Sequence, residues 1–576
     1  MKKPILRALA LLTAALSLGL TACGGGHSHA YTNKSTDEKF LVHEANCEEA
    51  TTYYYSCSCG EAGDKTFSVG AKTTHDFSAE IVAEEYLKKP ATCLSGAEYY
   101  KSCVHCGQKT YKTFTDTVLG DHVYDQENAD GKFLKDEATF TQGATYYKSC
   151  VCGIAGTDTF IFGAPLRVFT EAEKVPYTPT SLTVTLFDPM ESVYGFTYNT
   201  QSEPLRPVIQ VAEGNSFTNY TEYPAKVEKE SSYDDNSRLF IYYIVKAEVD
   251  LEPSKTYTYR AYDKYVDIGT ETATLQTKDP TATAFTFAHI SDSQQYPLSF
   301  ATTLSNLVNY DFTIHTGDVV ENSNFESEWT SMLHNNFAYL SKIPVMAISG
   351  NHETTYQSGD NETYKHFHHN MPAQSDTHLG YYYSFSYGNA KFIMLNTNRL
   401  SGDKLTGDQY SWLINELSNN TADWTFVAMH NPMYSAGTYG SDPARNSISR
   451  KLREQLEDIF AEYGVDVVMQ GHDHLVSRTH PINANGEPTI ENWETVNGVE
   501  YSVKPNGVVY IMSGTAGSQT RSPNSNMDNS YYKFALSSKA SSWTEFSIDG
   551  NRLTVRMNYM QNGEVKEYAK WGIRKS

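Results

Sequence analysis

The sequence predicts a multidomain protein in which an α/β domain with layered sheets follows an all-β domain and three small cysteine-rich repeats. Three observations predict this order. A histidine and cysteine motif recurs about every 46 residues before residue 165, cysteine-free alternating strands fill residues 170–280, and strands alternate with helical periodicities after Pro280. A chain of 576 residues is also too long to fold around one hydrophobic core, and its length suggests about three to four domains.

Residues 1–22 have the composition of a secretion signal, with a basic segment followed by an apolar run too short for a stable transmembrane helix. The run ends in Leu20-Thr21-Ala22-Cys23-Gly24, which resembles the lipobox of bacterial lipoproteins. That resemblance implies cleavage before Cys23 and lipid attachment to its sulfur. The mature protein is then expected to be extracytoplasmic and anchored by lipid to the bacterial cell membrane. The alternative is an ordinary signal peptide with an incidental cysteine.

Residues 23–165 contain three copies of one motif. Each copy opens with a histidine that is followed two residues later by an aromatic residue, and each places a Tyr-Tyr pair before a cysteine and closes on Cys-Gly. The third copy has Phe140 at the position of Cys47 and Cys93. The candidate ligands are His29, Cys47, Cys57, Cys59, His75, Cys93, Cys103, Cys106, His122, Cys150 and Cys152.

Two interpretations of these repeats stay open. One histidine with up to three cysteines per copy suits a small structural zinc site, because imidazole and thiolates are tetrahedral zinc ligands. An oxidising location instead favours disulfides in small secreted modules. Units this short are expected to need a covalent or metal brace under either interpretation, and the binding partner of the repeats is unknown.

Residues 170–280 are predicted to form an all-β domain. Short alternating segments such as residues 181–186 and 239–244 indicate half-buried strands. Residues 251–260 are a turn followed by alternating aromatic residues, which resembles the corner before strand F of fibronectin type III sandwiches. The sequence therefore predicts a fibronectin III-like β-sandwich, with its boundary at the polar segment that ends in Pro280.

Residues 283–540 are predicted to form the α/β domain, and residues 541–576 are predicted to complete it with C-terminal strands. The apolar spacing of Ile448, Leu452, Leu456, Ile459 and Tyr463 predicts one of its helices. Several apolar strands are followed directly by polar residues, which open α/β sheets bring together at the carboxyl ends of the strands. These polar residues are Asp292, Gln294, Asp318, Glu321, Asn322, Asn351, His352, His430, His472 and His474.

Carboxylate and amide oxygens combined with imidazoles suit divalent zinc, manganese or iron. A carboxylate shared by two such ions holds them about 3.5–4 Å apart and favours a hydroxide near neutral pH, as hydrolysis of a phosphate ester requires. Each short polar motif alone is a weak indication of a metal site. Five such motifs in this order, each after a predicted strand, are a specific one.

Together these motifs resemble the calcineurin-like metallophosphoesterase family over about residues 284–480. The sandwich before them is similar to the purple acid phosphatase branch, which implies a four-layer domain in which helices flank a pair of packed sheets. The resemblance implies two divalent metal ions, one held by Asp292, Asp318 and His474, the other by Asp318, Asn351, His430 and His472, with Asp318 bridging. His352 is then expected to steady the phosphoryl group or to protonate the leaving oxygen.

Two positions depart from these patterns. Purple acid phosphatases have tyrosine three residues after the bridging aspartate, where this chain has Glu321, so a tyrosinate-to-iron colour is not expected. Other branches have histidine two residues after the first aspartate, where this chain has Gln294, so the first ion is expected to bind more weakly. Gln294, Glu321 and Asn322 are candidates either for direct ligation or for support of the ligands.

The expected function is extracytoplasmic hydrolysis of phosphate esters by a metal-bridging hydroxide, with a phosphomonoester as the substrate. A phosphodiesterase or nucleotide hydrolase of the same family is the first alternative. A surface binding or adhesion protein that carries a degenerate phosphoesterase domain is the second. A net charge of −22 argues against a nucleic-acid-binding surface, which needs lysine and arginine to neutralise phosphates. The expected partners are a phosphorylated substrate and, through Cys23, the membrane.

Overall fold

The computed structural model describes residues 29–139, 142–165, 168–233, 238–354, 362–372, 382–398, 400–405, 407–441 and 445–575. The predicted signal segment, the lipidation candidate Cys23 and Phe140 lie outside the described residues. Backbone contacts divide the chain into two compact units, Met1–Ala91 with Ser95–Gly120, and Thr92–Leu94 with Asp121–Ser576. Among the described residues, none of the helices combines the length and the apolar composition that crossing a bilayer requires.

Each repeat forms one three-stranded antiparallel sheet, preceded by a single turn of 3-10 helix. The alternating tyrosines of the middle strand pack on an aromatic residue of the third strand, as Tyr53 stacks on Phe67 with ring centroids 5.9 Å apart. The buried core is small, and in the third repeat it consists of Phe133, Ala144 and Tyr146. The strands are β1 (Leu41–His43), β2 (Thr51–Ser56), β3 (Ala62–Val69), β4 (Leu87–Lys89), β5 (Gly96–Ser102), β6 (Lys109–Leu119), β7 (Leu134–Asp136), β8 (Ala144–Ser149) and β9 (Ala155–Phe162), and the 3-10 turns are Glu38–Phe40, Glu84–Tyr86 and Gly131–Phe133.

The next region is a pair of antiparallel sheets packed face to face. The elements are α1 (Glu171–Lys174), β10 (Thr180–Asp188), β11 (Val193–Thr200), β12 (Pro207–Glu213), β13 (Thr221–Pro224), β14 (Lys226–Tyr233), β15 (Leu239–Asp250), β16 (Thr256–Asp263), β17 (Ile268–Gly269) and β18 (Ala273–Gln276). One sheet has the order β10-β11-β15-β14, and the other has β13-β12-β16-β17 with β18 also paired to β16. Tyr257 accepts a hydrogen bond from the backbone N–H of Glu252 at 3.0 Å, which is the contact that a tyrosine corner makes.

The α/β region contains the remaining elements. They are β19 (Ala284–Ile290), α2 (Pro297–Ser305), β20 (Phe312–His315), α3 (Glu326–Leu333), α4 (Phe337–Leu340), β21 (Val345–Ala347), α5 (Glu362–His366), β22 (Tyr383–Tyr387), β23 (Ala390–Met394), β24 (Leu400–Ser401), β25 (Lys404–Leu405), α6 (Gly407–Ser418), β26 (Trp424–Met429), α7 (Thr438–Ser441), α8 (Ser447–Glu462), β27 (Val467–Gln470), β28 (Val476–Thr479), β29 (Trp493–Val496), β30 (Val499–Val503), β31 (Val509–Ser513), β32 (Tyr532–Leu536), β33 (Ser542–Asp549), β34 (Arg552–Gln561) and β35 (Glu564–Arg574). Further 3-10 turns are Val175–Tyr177, Pro189–Glu191, His334–Asn336 and Asn529–Tyr531.

Two large mixed sheets form the centre of this region. The first has the order β21-β20-β19-β33-β34-β35-β30-β29, and the second has β22-β23-β26-β27-β31-β28-β32. Strands β19, β20 and β21 run parallel in the first sheet, and β23, β26, β27 and β31 run parallel in the second. The C-terminal strands β33–β35 lie in the middle of the first sheet, because β33 pairs with β19 over its whole length.

Aromatic side chains fill the space between these two sheets. Phe287 of the first sheet stacks on Phe546 with ring centroids 4.5 Å apart, and it meets Phe392 and Phe426 of the second sheet edge to face. Helices cover the outer faces, with α2 and α3 packed on the first sheet and α6 and α8 on the second. The region is therefore layered as helices, sheet, sheet and helices.

Helix α8 differs in one position from the face that the sequence predicts. It buries Leu452, Leu456 and Phe460 against the second sheet, whereas Tyr463 is 40% exposed. The helix ends at Glu462, so Tyr463 lies beyond the last turn and no longer follows its periodicity.

Candidate metal centre

Four of the predicted ligands have backbone φ angles in the left-handed region: 55° at Asp292, 56° at Asp318, 74° at His472 and 50° at His474. Each lies within four residues of the end of β19, β20 or β27. Residues other than glycine rarely adopt such angles, and the strain concentrates at functional sites. The chain therefore turns sharply at each strand end, and these turns bring the side chains together.

Asp292, Asp318 and His474 form one ligand set, with a donor atom of each within 4.8 Å of the others. His474 Nε2 lies 3.2 Å from Asp292 Oδ1. Its Nδ1 lies 2.8 Å from the carbonyl oxygen of Gln519, which can only accept a hydrogen bond, so Nδ1 carries the proton. Nε2 therefore keeps its lone pair for a metal ion, as second hydrogen bonds to ligating histidines generally arrange.

Asp318, His430 and His472 form the second set under the same distance limit. His430 Nε2 lies 3.2 Å from Asp318 Oδ2 and 3.0 Å from Asn351 Oδ1. His430 Nδ1 donates to the carbonyl of Thr316 at 2.8 Å, which again leaves Nε2 for ligation. Asp318 is the member that both sets share.

The pKa values of these groups follow from their burial and from each other's charge. Burial alone would raise the pKa of Asp292, but the His474 and His430 imidazoles outweigh it and hold that pKa well below its usual range. Burial would lower the pKa of His430, and the Asp318 carboxylate reverses this and raises it to about 9. Burial, with the charge of His430, lowers the pKa of His472 to about 3. The neighbouring imidazoles thus offset the cost of burying the carboxylates.

Glu353 holds the loops after β20 and β21 in place. Its carboxylate accepts backbone N–H groups from Asp318 at 2.8 Å, from Val319 at 2.8 Å and from Gly350 at 2.6 Å. Burial raises its pKa to about 7, with the nearby Asp318 charge adding to the effect. Sequence reasoning missed this residue, although it directly follows the Asn351-His352 motif.

Gly350 lies so close to Asp318 that no side chain fits there. A Cβ atom at this position would stand 2.0 Å from Asp318 Oδ1 and 2.3 Å from the Asp318 backbone nitrogen. The glycine therefore allows the loop after β21 to approach the bridging carboxylate.

Three further candidates lie around the two sets. Gln294 is buried and donates from Nε2 to Asp318 Oδ2 at 3.1 Å, so it contacts the bridging carboxylate. Glu321 lies at the edge, where its backbone carbonyl accepts a hydrogen bond from His352 Nδ1 at 2.7 Å. Asn322 instead donates to Glu328 Oε1 at 2.8 Å and does not join either ligand set. The structure thus places Gln294 next to the ligands and Asn322 away from them.

His352 lies beside the ligand sets without belonging to either. Its Nε2 is 3.9 Å from Asp318 Oδ2, and 28% of its side chain is exposed. Burial would lower the pKa of His352, but the Asp318 carboxylate and the Glu321 carbonyl outweigh it, and the pKa is raised. The raised pKa therefore favours the protonated form of this imidazole at the rim of the site.

A cavity of about 530 Å³ opens beside the second ligand set. Its lining includes Asn351, Thr354, Asn398, Asn431, Tyr439, Arg445 and His472. Asn431 serves as part of the wall, because its amide donates to the Thr397 carbonyl at 2.8 Å and to Asn398 Oδ1 at 2.9 Å.

Sequence reasoning also missed the cationic groups at this cavity. Tyr439 packs on His472 with ring centroids 4.2 Å apart. The guanidinium carbons of Arg445 and Arg521 lie 6.0 and 5.7 Å from the Tyr439 ring centroid. Arg521 Nη1 also lies 3.6 Å from Asp473 Oδ1. Arg445 lines the cavity and gives this side of it a positive charge that suits an anionic ligand, whereas Arg521 lies behind the Tyr439 ring and beside Asp473.

The repeat ligands meet in a different way from the one expected. The expectation of one site within each repeat does not hold for Cys47 of the first repeat and Cys93 of the second, because each lies with the ligands of the copy that follows. The groups are Cys47 with His75, Cys103 and Cys106; Cys93 with His122, Cys150 and Cys152; and His29 with Cys57 and Cys59. Cys57 and Cys59 form a disulfide, and the other six cysteines of the described residues are free thiols.

Comparison with known proteins agrees with this geometry. The family model described as calcineurin-like phosphoesterase matches residues 285–476. Purple acid phosphatase 15 of Arabidopsis thaliana is 28% identical over 187 residues, which cover 31% of this chain and 31% of that protein. Acid phosphatase type 7 of Homo sapiens is 28% identical over 234 residues, which cover 37% of this chain and 49% of that protein. The chain thus spans between about a third and half of the length of these relatives.

Among solved structures, a purple acid phosphatase from yellow lupin (Lupinus luteus) seeds has the same fold, with a TM-score of 0.59 and 18% sequence identity. The match covers 76% of this chain and 80% of that one. The strand-end ligand sets, the family match and these relatives lead to one conclusion: the chain contains a calcineurin-like phosphoesterase domain whose relatives include purple acid phosphatases.

Proposed function

We propose that this chain is a metal-dependent phosphoesterase that hydrolyses phosphomonoesters. The observation that carries the proposal is that Asp318 belongs to both ligand sets and so lies where two cations would share one carboxylate. The relatives named acid phosphatases support the monoester assignment.

The donor atoms fit two divalent ions. Oxygen and imidazole donors, without thiolate, match zinc, manganese or iron. Asp292, Asp318 and His474 would hold one ion, and Asp318, Asn351, His430 and His472 the other. When bound, such a pair of ions supplies Lewis acidity and lowers the pKa of bound water toward neutrality.

The chain's own residues then bind and protonate the substrate. His352 at the rim is placed to donate a proton to the leaving oxygen, since the Asp318 carboxylate and the Glu321 carbonyl favour its protonated form. Arg445, beside Tyr439, provides positive charge for the phosphoryl oxygens. Positioned charge of this kind supplies most of the rate enhancement in phosphoryl transfer.

The first test compares hydrolysis of an aryl phosphomonoester and an aryl phosphodiester with added Mn²⁺ or Zn²⁺. We expect the monoester to be preferred, and Asp318→Asn to lower kcat/KM by about three orders of magnitude or more, because the shared ligand is lost. Asp549→Asn makes the same chemical change at an exposed position and is expected to retain full activity. Preference for the diester would favour the phosphodiesterase alternative. Equal inactivity of wild type and Asp318→Asn with every metal would favour the binding protein.

The role of His352 has its own test. We expect His352→Asn to lower kcat by about 10²–10⁴-fold for an ester with a poor leaving group, because general acid catalysis contributes that much. An ester with a highly activated leaving group needs no proton and should be affected far less. An equal loss for both esters would show that His352 does not protonate the leaving oxygen.

We also propose that the enzyme is extracytoplasmic and held at the membrane by lipid on Cys23. The signal-like composition of residues 1–22 and the lipobox-like Leu20-Thr21-Ala22-Cys23-Gly24 support this. Cys23→Ala should release the protein from the membrane fraction and abolish labelling by a radioactive fatty acid. Unchanged membrane association and the absence of label in the wild type would reject the anchor.

A further inference from the structure

The four ligand atoms of each complete repeat cluster converge on one point. In the first cluster, Cys47 Sγ lies 3.3 Å from Cys103 Sγ, and Cys106 Sγ lies 3.3 Å from His75 Nδ1. All four donor atoms lie within 4.8 Å of one another. Zinc–sulfur bonds of about 2.3 Å in a tetrahedron place neighbouring sulfurs about 3.8 Å apart, so the cluster needs little adjustment to close around an ion.

The second cluster repeats this arrangement with different residues. Cys93 Sγ lies 2.9 Å from Cys150 Sγ, and Cys152 Sγ lies 3.3 Å from His122 Nδ1. The central cysteine is again buried: Cys150 is 3% exposed, and Cys103 in the first cluster is 1% exposed. The same geometry therefore arises twice, from a Cys-x-x-Cys pair in one case and a Cys-x-Cys pair in the other.

Local contacts explain the conserved order of residue types within each copy. The aromatic residue two positions after the histidine stacks on its ring, as Phe77 does on His75 with centroids 5.2 Å apart and Tyr124 does on His122 with centroids 5.9 Å apart. This stacking fixes the orientation of the imidazole. The backbone N–H groups of His105 and Cys106 donate to Cys103 Sγ, as is suited to a thiolate that binds a cation.

The distribution of cysteines along the chain follows from ligation between neighbouring copies. Cys47 of the first copy and Cys93 of the second each supply the fourth ligand to the copy that comes after. No further copy follows the third one before the all-β region, so a cysteine at the position of Cys47 and Cys93 would have no cluster to join. The third copy has Phe140 at that position. Among the described residues, no preceding copy supplies a fourth ligand to His29, Cys57 and Cys59, and there the two thiols close on each other as a disulfide.

We propose that each of the two complete clusters, Cys47-His75-Cys103-Cys106 and Cys93-His122-Cys150-Cys152, binds one structural Zn²⁺ ion that fastens a repeat to the one before it. Binding replaces the thiol protons, which are released, so no oxidant is required. A disulfide between Cys47 and Cys103 would use only two sulfurs and would leave the convergence of His75 and Cys106 on the same point without a cause. The small cores of the repeats also make a metal brace necessary for their stability.

The test uses Co²⁺ in the mature full-length chain, because a thiolate-to-cobalt charge-transfer absorption arises only where sulfur binds the metal. The Asp, Asn and His ligands of the candidate metal centre cannot produce that band, so the result is independent of phosphatase activity. We expect two thiolate-bound ions per chain, one lost in Cys103→Ala, one lost in Cys150→Ala and both lost in the double variant. X-ray absorption of the zinc-loaded chain should show zinc–sulfur scattering, which the candidate metal centre cannot supply because none of its ligands contains sulfur.

A matched pair of histidine variants controls for nonspecific effects. His75 is a cluster member, whereas His105 lies exposed between Cys103 and Cys106 and belongs to no cluster. We expect His75→Ala to weaken cobalt binding at one site and His105→Ala to leave both sites intact. Wild-type chain that shows no charge-transfer band, together with Cys47–Cys103 and Cys93–Cys150 disulfides in a nonreducing peptide map, would overturn the proposal. That measurement needs no variant to fold.

Discussion

The candidate metal centre and the repeat clusters are both built from histidine-containing ligand sets, but they relate to the fold in opposite ways. The centre draws its ligands from strand ends of two large sheets that an aromatic core already joins. The repeat clusters lie among short hairpins whose buried cores hold only a few side chains. In the first region the fold positions the ligands, whereas in the second the ligands are needed to hold the fold.

Metal removal should produce the largest difference in stability between the two regions. With a strong chelator under reducing conditions, we expect the repeats to become sensitive to proteolysis while a fragment close to residues 168–575 resists. Structural zinc binding is worth about 10–16 kcal/mol in small modules, which the repeat cores cannot replace. Mass spectrometry of the resistant fragment measures the boundary. If the repeats resist proteolysis equally well with and without metal, their folding does not depend on the metal ions.

Breaking a buried ion pair tests whether the large sheets carry their own stability. Arg478 pairs with Glu491 through Nη1 and Nη2 and is fully buried, with Trp571 beneath it. Arg478→Met should lower the free energy of unfolding by about 3–5 kcal/mol, because the buried Glu491 carboxylate loses the arginine that neutralises it. Arg450→Met removes an exposed pair with Glu454 and should cost about 0.5 kcal/mol or less. Chemical denaturation measures both, and similar losses would contradict this interpretation.

The close approach at Gly350 tests how finely the fold places the ligands. Gly350→Ala should lower kcat/KM by on the order of 10²-fold, because the added Cβ displaces the Asp318 carboxylate and such misplacement is costly. Gly407→Ala is the control, since a Cβ at that position meets nothing within 4 Å. Steady-state kinetics with saturating metal gives the comparison. Full activity in Gly350→Ala would mean that the bridging carboxylate tolerates displacement.

A smaller effect is expected at Glu353, which positions loops without touching substrate. Each Glu353 oxygen accepts two backbone N–H groups. Glu353→Gln replaces one of these oxygens with a donor, so two backbone N–H groups lose their partner, at a cost of about 1–3 kcal/mol each. We expect weaker metal binding, seen by titration, with kcat largely restored at high metal concentration. Failure of added metal to restore kcat would show that Glu353 acts on the chemistry itself.

The convergence of the six candidate metal ligands could be predicted from sequence because each comes shortly after an apolar strand, and strand ends meet in an α/β sheet. Glu353, Tyr439 and Arg521 could not, because their roles depend on which loops fold over the site rather than on any periodic pattern. The residue types of the repeat ligands could also be predicted. The grouping of ligands from neighbouring copies could not, since it depends on how successive hairpins lie together. Phe140 is the one residue whose identity indicated that grouping.

The position of β33 beside β19 has a consequence for the order of synthesis. Strand β19, which leads to Asp292, pairs with Thr544–Asp549, far later in the sequence. Contacts this distant in sequence form late, and a chain still leaving the ribosome cannot make them. The first sheet of the nascent polypeptide therefore stays incomplete until strand β33 has left the ribosome, and the ligand cage cannot assemble before then.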